Sequence, residues 1–156
     1  MTNKTKNVIT LILTSAFLII IGYLGSINSK EYYSSLILPS FSPPSVVFPI
    51  AWGIIYTLMI IAAVIIEAYA FNTPLKKDAL SFYWVQLVIN VIWPWLFFVF
   101  KLNFVSFLWI ILLFVVVFLT FRKFYKINKL AGYLYIPYLL WLIYAAYINL
   151  GVAVLN

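Results

Sequence analysis

The sequence contains no cysteine and no histidine, and only three acidic side chains. The missing cysteines exclude disulfides and thiol chemistry. Without either residue, the common zinc ligand sets and the usual axial ligands of haem iron are also gone. Three carboxylates leave little material for general acid–base catalysis. Charge of any sign is scarce, at 8% of residues, where a soluble domain carries about a quarter. A water-soluble globule cannot be covered with so little polar surface. No stretch outside the apolar runs is long enough to form a second domain.

What remains is 67% hydrophobic and 21% aromatic. Five apolar runs stand out, at about 8–27, 46–71, 79–100, 104–124 and 131–155. Each approaches or exceeds the roughly 20 residues that span hydrocarbon as a helix. Their apolar character is continuous rather than alternating, which favours helices over barrel strands. The expected fold is therefore all-α: a single bundle of five transmembrane helices covering residues 1–156. Lys4 and Lys6 give the first run a basic start, but the run is too long for a signal peptide and no small-residue cleavage site follows it. It is read as a retained helix.

The formal charge of +7 does not suggest nucleic acid, because the basic residues lie only between apolar runs. With five spans, Lys4, Lys6, Lys76, Lys77, Arg122, Lys123, Lys126 and Lys129 fall on the N-terminal side. Only Lys30 and Lys101 fall on the other. The positive-inside rule then places the N-terminus in the cytoplasm. It also turns the longest connection, Asn28 to Ser45, outward. That loop carries Pro39, Pro43, Pro44, Tyr32, Tyr33 and Phe41. A loop of this length is read either as functional or as an aromatic anchor at headgroup depth.

Polar groups inside a span are costly unless paired, so each is a candidate for a site. In the third run Gln86, Asn90, Trp93 and Phe97 share one helical face. In the fifth, Pro137, Trp141, Ala145 and Asn149 are assigned to one face. In the second, Trp52 and Tyr56 lie one turn apart. Two readings stand: a shared aromatic pocket, or interhelical amide bonds with belt tryptophans. Glu67, the one acid inside a span, is expected to reach water or a basic loop residue such as Lys129. Pro49 lies near a helix start, while Pro94 and Pro137 are expected to kink their helices. Gly22 with Ser26, or Gly25, would permit close helix contact.

At these residues the chain resembles the tryptophan-rich sensory proteins, bacterial relatives of the mitochondrial translocator protein, also called the peripheral benzodiazepine receptor. The resemblance covers roughly Glu31 to Asn149. It rests on Tyr32-Tyr33, Leu36, Pro39, Pro43-Pro44, Phe48-Pro49, Trp52 and Tyr56. It continues in Gln86, Asn90, Trp93-Pro94 and Phe97-Phe98, then in Pro137-Tyr138-Leu139, Trp141 and Asn149. It implies a five-helix bundle, usually a homodimer, in a bacterial inner or plasma membrane, with a ligand pocket under the first loop. The implied ligands are porphyrin and haem, with isoquinoline carboxamides and benzodiazepines, and no required cofactor or metal. The implied ligand-binding positions are Tyr32, Trp52, Asn90, Trp93, Phe97, Trp141 and Ala145, to which the polar-face reading adds Gln86.

Three departures from the family pattern matter. The fifth helix lacks the tyrosine and basic residue proposed to bind cholesterol, ending instead Leu150-Gly151-Val152-Ala153-Val154-Leu155-Asn156. Tyr32 and Phe41 stand where relatives often have tryptophan. Ser45 stands where a relative can have arginine. The leading expectation is binding or transport of a tetrapyrrole by aromatic stacking. No ATP-binding motif or proton relay is visible, so active pumping is not expected. The resemblance also suggests light- and oxygen-dependent porphyrin breakdown, with Trp52 and Trp141 as electron donors. A third expectation is a regulator acting through a partner protein.

Overall fold

The computed structural model describes residues 2–69 and 73–156. Among these residues seven α-helices follow in order: α1 (Asn3–Leu24), α2 (Ser29–Ser35), α3 (Val47–Tyr69), α4 (Pro74–Pro94), α5 (Asn103–Ile127), α6 (Lys129–Tyr133) and α7 (Ile136–Leu155). A π-helical turn, Trp95–Val99, extends α4. Five helical stretches are long and apolar enough to cross a membrane: α1, α3, α4 with its π turn, α5, and α6 with α7. The expected end of the second run, Ala70 and Phe71, and the turn residue Asn72 lie outside the described residues.

Helix starts follow local chemistry. The Thr2 and Thr73 hydroxyls accept from the amides of Thr5 and Lys76, closing the first turns of α1 and α4. Pro74 occupies the first turn of α4, where a missing N–H costs nothing. The same argument corrects the expectation for Pro137. The fifth run is broken between α6 and α7, and Pro137 lies in the first turn of α7, so it begins a helix and kinks none. Pro94 ends the regular part of α4, and the π turn widens the helix beyond it. Lys101, at φ 56°, then turns the chain back into α5.

The spans form a ring. α1 packs on α3 and α4, α4 on α5, and α5 on α7. α7 returns to α3 over a short seam. Gly22 lets α1 approach α4 closely, since a Cβ there would lie 3.1 Å from that of Val91. At Gly25 it would lie 2.9 Å from the Trp95 ring. The centre of the ring is filled by Met59, Ala62 and Ile66 of α3, Tyr83 and Leu87 of α4, Val117 and Phe124 of α5, and Leu142 of α7. Ser15 and Tyr83 pair their hydroxyls at 2.6 Å across α1 and α4.

At the cytoplasmic end Glu67 is buried and meets a basic side chain as expected, though it is Lys76 at the start of α4 and not Lys129. Lys76 Nζ lies 3.1 Å from its carboxylate and donates to its backbone carbonyl at 2.8 Å. Asn7 of α1 donates to the same carboxylate at 3.0 Å. The reason is proximity along the chain. α3 and α4 are consecutive and antiparallel, so the first turn of one lies beside the last turn of the other.

The long loop begins with α2 and then crosses the outer end of α7 as a strap. Tyr144 and Tyr147 donate their hydroxyls to the carbonyls of Phe41 and Ser40, at 2.7 and 2.8 Å. The Asn156 amide exchanges two hydrogen bonds with Ile37. Tyr33 is buried beneath the strap and donates to the Pro43 carbonyl at 2.9 Å. Burial raises its pKa, which keeps the phenol protonated and able to donate. Phe41, at φ 62°, sits at the tip of the strap.

Candidate ligand-binding site

Under the loop, in the outer half of the bundle, lies a cavity of about 630 Å³. It falls within the size range of small-molecule sites, roughly 300–1,000 Å³. Its walls come from α1 (Ile19, Tyr23) and the turn after it (Ile27), α3 (Pro49, Trp52, Gly53, Tyr56) and α4 (Asn90, Trp93, Pro94), with Phe98 from the π turn and Phe48 at the start of α3. Ser26, Ser29, Lys30 and Ser45 line its outer rim, and Lys30 is the only charged residue along it.

Trp52 is the hub of the aromatic wall. It stacks on Tyr56 at 5.6 Å and lies 6.4 Å from Trp93. Tyr138 and Trp141 meet it edge-on at 6.1 and 6.4 Å. The residues from 52 to 56 to 59 keep one face of α3 turned inward, ending on buried Met59. Trp93 stacks on Phe97 at 5.2 Å, and its indole N–H donates to Asn149 on α7 at 3.2 Å. Asn149 in turn donates to the carbonyl of Ala145.

The polar floor is Asn90, which is 2% exposed. Its Oδ1 accepts from Tyr56 at 2.6 Å, and its amide N–H donates to the Tyr138 hydroxyl. One side chain of α4 thus joins α3 to α7. A ligand reaching this floor meets an amide and a phenol, both neutral, between indole and phenyl faces. Among the described residues no three potential metal-ligating side chains cluster. The site is therefore suited to stacking and to neutral hydrogen bonding, with a cation only at its rim.

The expected residues separate into two groups. Trp52, Asn90 and Trp93 line the cavity. Trp141, Ala145, Phe97, Tyr32 and Gln86 do not. Trp141 stands behind Trp52, and its buried indole N–H has no partner among the described residues. Ala145 is buried in the α7 face, one turn below Asn149. Phe97 backs Trp93, and Tyr32 packs edge-on against Phe97 at 5.7 Å while donating to Asn103 at 2.9 Å. Gln86 lies one turn below Asn90, completely buried, with its amide nitrogen against Met59 Sδ and its Oε1 unpartnered among the described residues.

Sequence reasoning missed Tyr138, Phe48, Phe98 and the α1 side of the cavity. Tyr138 carried a usable signal. It precedes Trp141 by three and Ala145 by seven, the spacing of a shared helical face. The chosen series of Pro137, Trp141, Ala145 and Asn149 advances by four each time. Such a series drifts about 40° per step on a helix of 3.6 residues per turn. Pro137 accordingly ends on the exposed side. No comparable mark distinguishes Ile19, Ser26 or Ile27 from their neighbours.

Comparison with known proteins agrees with the fold. A family model described as the TspO/MBR family matches residues 8–155. Protein CrtK of Rhodobacter capsulatus is 35% identical over 136 residues, 86% of this chain and 85% of its own. The tryptophan-rich protein TspO of Chlorobaculum tepidum is 30% identical over 159 residues, 97% of this chain and 98% of its own. A tryptophan-rich sensory protein of Cereibacter sphaeroides is 32% identical over 130 residues, 83% of this chain and 80% of its own.

Proposed function

This chain belongs to the TspO/MBR family and is a multi-pass integral membrane protein, and from that premise we propose that its outer cavity binds tetrapyrroles, porphyrin or haem, and related flat aromatic molecules. The observation that carries this reading is the convergence of Trp52, Trp93, Phe48 and Phe98 around one hollow, above the Asn90–Tyr56 floor. A porphyrin is a flat apolar disc with acidic edges. Each ring stacked on it adds about 0.5–1.5 kcal/mol beyond the area buried. The disc would lie against Trp52 and Trp93, with its acidic edge at the rim beside Lys30. Binding of this kind serves storage, hand-over across the membrane or sensing equally well.

The test is a tryptophan-fluorescence titration with protoporphyrin and with haem in detergent. Wild type is expected to show saturable quenching. Trp52→Leu should weaken the affinity about 2- to 12-fold, the equivalent of one lost stacking contact. Linear, non-saturating quenching would mean simple partitioning and would refute the assignment.

One contact favours a second reading. Trp52 faces the cavity and touches both Trp93 and Trp141. In the light, an excited porphyrin could take one electron from Trp52, the hole passing to Trp141; the porphyrin radical anion could then add molecular oxygen at a methine bridge, return one electron to the tryptophan radical, and open as the O–O and the bridge C–C bonds break to leave two carbonyls. Illumination of the complex in oxygen should then bleach the porphyrin bands in wild type, and less when both Trp52 and Trp141 are phenylalanine. Equal bleaching in both proteins would exclude it.

A further inference from the structure

We propose that the cavity is filled sideways, from the outer leaflet of the bilayer through a slot between α1 and α3, and not past the strap, which stays tied to α7. The identity of the entering molecule, an apolar aromatic acid dissolved in the leaflet, rests on the ligand reading above. The route does not.

Among the described residues the one side-chain hydrogen bond between α1 and α3 lies near the cytoplasm, where Asn7 donates to Glu67 at 3.0 Å. At the outer end the chain leaving α1 and the chain entering α3 carry exposed residues: Tyr23 in the last turn of α1, Ile27 in the turn after it and Val46 just before α3. Tyr23, Ile27 and Val46 are 68%, 63% and 61% exposed, and all three also line the cavity. A residue that faces both the cavity and the bilayer marks a wall with a gap in it. Gly53 lies in the same wall, and a Cβ placed there would meet nothing within 4 Å. The chain leaves this stretch of α3 unfilled.

No residue from 31 to 44 lines the cavity, and the strap is closed by other means. The strap is tied to α7 by the Tyr144, Tyr147 and Asn156 side chains, and Pro39 is seated directly on Gly151. Opening it breaks all of these contacts together, whereas the slot is open as it stands.

The chemistry of the slot suits a molecule already in the membrane. Its outer rim carries Lys30 with the Ser26 and Ser45 hydroxyls, and below the rim it is apolar and aromatic. An aromatic acid in the leaflet holds its carboxylate at headgroup depth and its body in hydrocarbon. Sliding in leaves the acid beside Lys30 at the same depth. No charge is dragged through the apolar core, the step that makes intramembrane charge costly.

Two measurements on the full chain in phosphatidylcholine vesicles test the route. The first needs no ligand. Lipid brominated at mid-chain should quench wild-type tryptophan fluorescence more than that of Gly53→Leu, because an acyl chain reaches Trp52 through the slot. Equal quenching overturns the slot.

The second follows protoporphyrin by the rate of tryptophan quenching. Gly53→Leu should slow association and dissociation together, each at least 10-fold. Faster dissociation would mean that the leucine merely fills the site, and it too overturns the route. Cross-linking the strap in Pro39→Cys/Gly151→Cys, in a chain with no other cysteine, should leave association within twofold of the reduced form. The two positions are closer than a disulfide prefers and must part by about 1 Å. A 10-fold slowing that reverses on reduction would make the strap the door. Non-saturable wild-type quenching would remove the ligand reading alone, since the brominated-lipid comparison still judges the slot.

Discussion

Asn90→Leu is the most informative single substitution, because one amide holds two phenols from two other helices. Leucine keeps about the same volume but loses both hydrogen bonds. It orphans the Tyr56 hydroxyl, which donates at 2.6 Å, and the Tyr138 hydroxyl, which accepts the amide N–H. The two orphans are not equal. Tyr56 lines the cavity, where water or ligand can replace the lost partner. Tyr138 is 2% exposed and has no such recourse. A buried polar group left unpaired costs about 1–3 kcal/mol. Single interhelical bonds in membrane proteins average about 0.6 kcal/mol, with a maximum near 1.7. Together these place the expected loss at about 1–3 kcal/mol, most of it from Tyr138. Tyr138→Phe removes its own orphan and should cost less, about 0.5–1.5 kcal/mol. The double variant should therefore be more stable than the sum of the two single losses implies. Unfolding in detergent by increasing dodecyl sulfate, followed by circular dichroism, measures all three. Strictly additive losses, or an Asn90→Leu protein as stable as wild type, would refute the idea that this amide joins α3, α4 and α7.

Three further outcomes are expected. Replacing Lys76 by methionine leaves the Glu67 carboxylate buried without its counter-charge and should cost about 3 kcal/mol, while Glu67→Leu/Lys76→Met should recover most of it; a double variant worse than the single one in the same unfolding assay would contradict the pairing. At Gly132 an added Cβ would lie 2.6 Å from Tyr125 Cβ and 2.8 Å from its Cα, so Gly132→Ala must displace backbone at about 1–3 kcal/mol, seen as a lower melting temperature in detergent. Tyr144→Phe/Tyr147→Phe removes two strap bonds worth about 1 kcal/mol each; chymotrypsin should cut at Phe41, 90% exposed at the strap tip, on the order of 30-fold faster where the strap opens and recloses quickly relative to cleavage, and an unchanged rate would mean that the strap is held by other contacts.

Much of the fold was legible because the chain offers few alternatives. Long apolar runs can only be helices, and the separation of eight basic residues from two fixes the parity of the spans. The inward face of α4 was legible as well. Steps of four, three and four from Gln86 to Phe97 keep the helical phase, and all four residues are buried. On α7 the same reasoning slipped, because repeated steps of four do not keep phase, and Tyr138 was overlooked in favour of Pro137. The Glu67 partner was misread through distance along the chain, since the hairpin of α3 and α4 brings Lys76 closer than any later lysine. The α1 wall was illegible for another reason. A lipid-facing isoleucine and a cavity-facing isoleucine look alike in a sequence where both surroundings are apolar. Only the exposed, space-free Gly53 and the lone Lys30 hint at the open side, and neither is unusual until the helices are in place.

The two halves of the bundle are held by different means, and this explains where the cavity lies. In hydrocarbon, apolar side chains gain nothing from leaving lipid for one another, so helices are held by close packing and by polar pins. Among the described residues no side-chain pin joins the outer ends of α1 and α3, since Trp95 ties that end of α1 to α4 instead. The Asn7–Glu67–Lys76 cluster closes the cytoplasmic end, and the Ser15–Tyr83 pair lies above it. Gly22 on Val91 brings α1 hard against α4, and Asn90 ties α4 to both α3 and α7. Above Asn90 the ring needs no further tie between α1 and α3, so a hollow can stay open there without loosening the bundle. Asn90 is then both a pin of this series and the floor of the site, while farther out Trp93 ties α4 to Asn149 of α7 and Trp95 ties it to the Ile21 carbonyl of α1. A ligand that takes a hydrogen bond from its amide, or displaces the Tyr56 hydroxyl from it, must loosen a contact among three helices. Occupancy of the cavity and the packing of α3, α4 and α7 are coupled through that one side chain, and the strength of the coupling is bounded by the one to three kilocalories that the amide contributes.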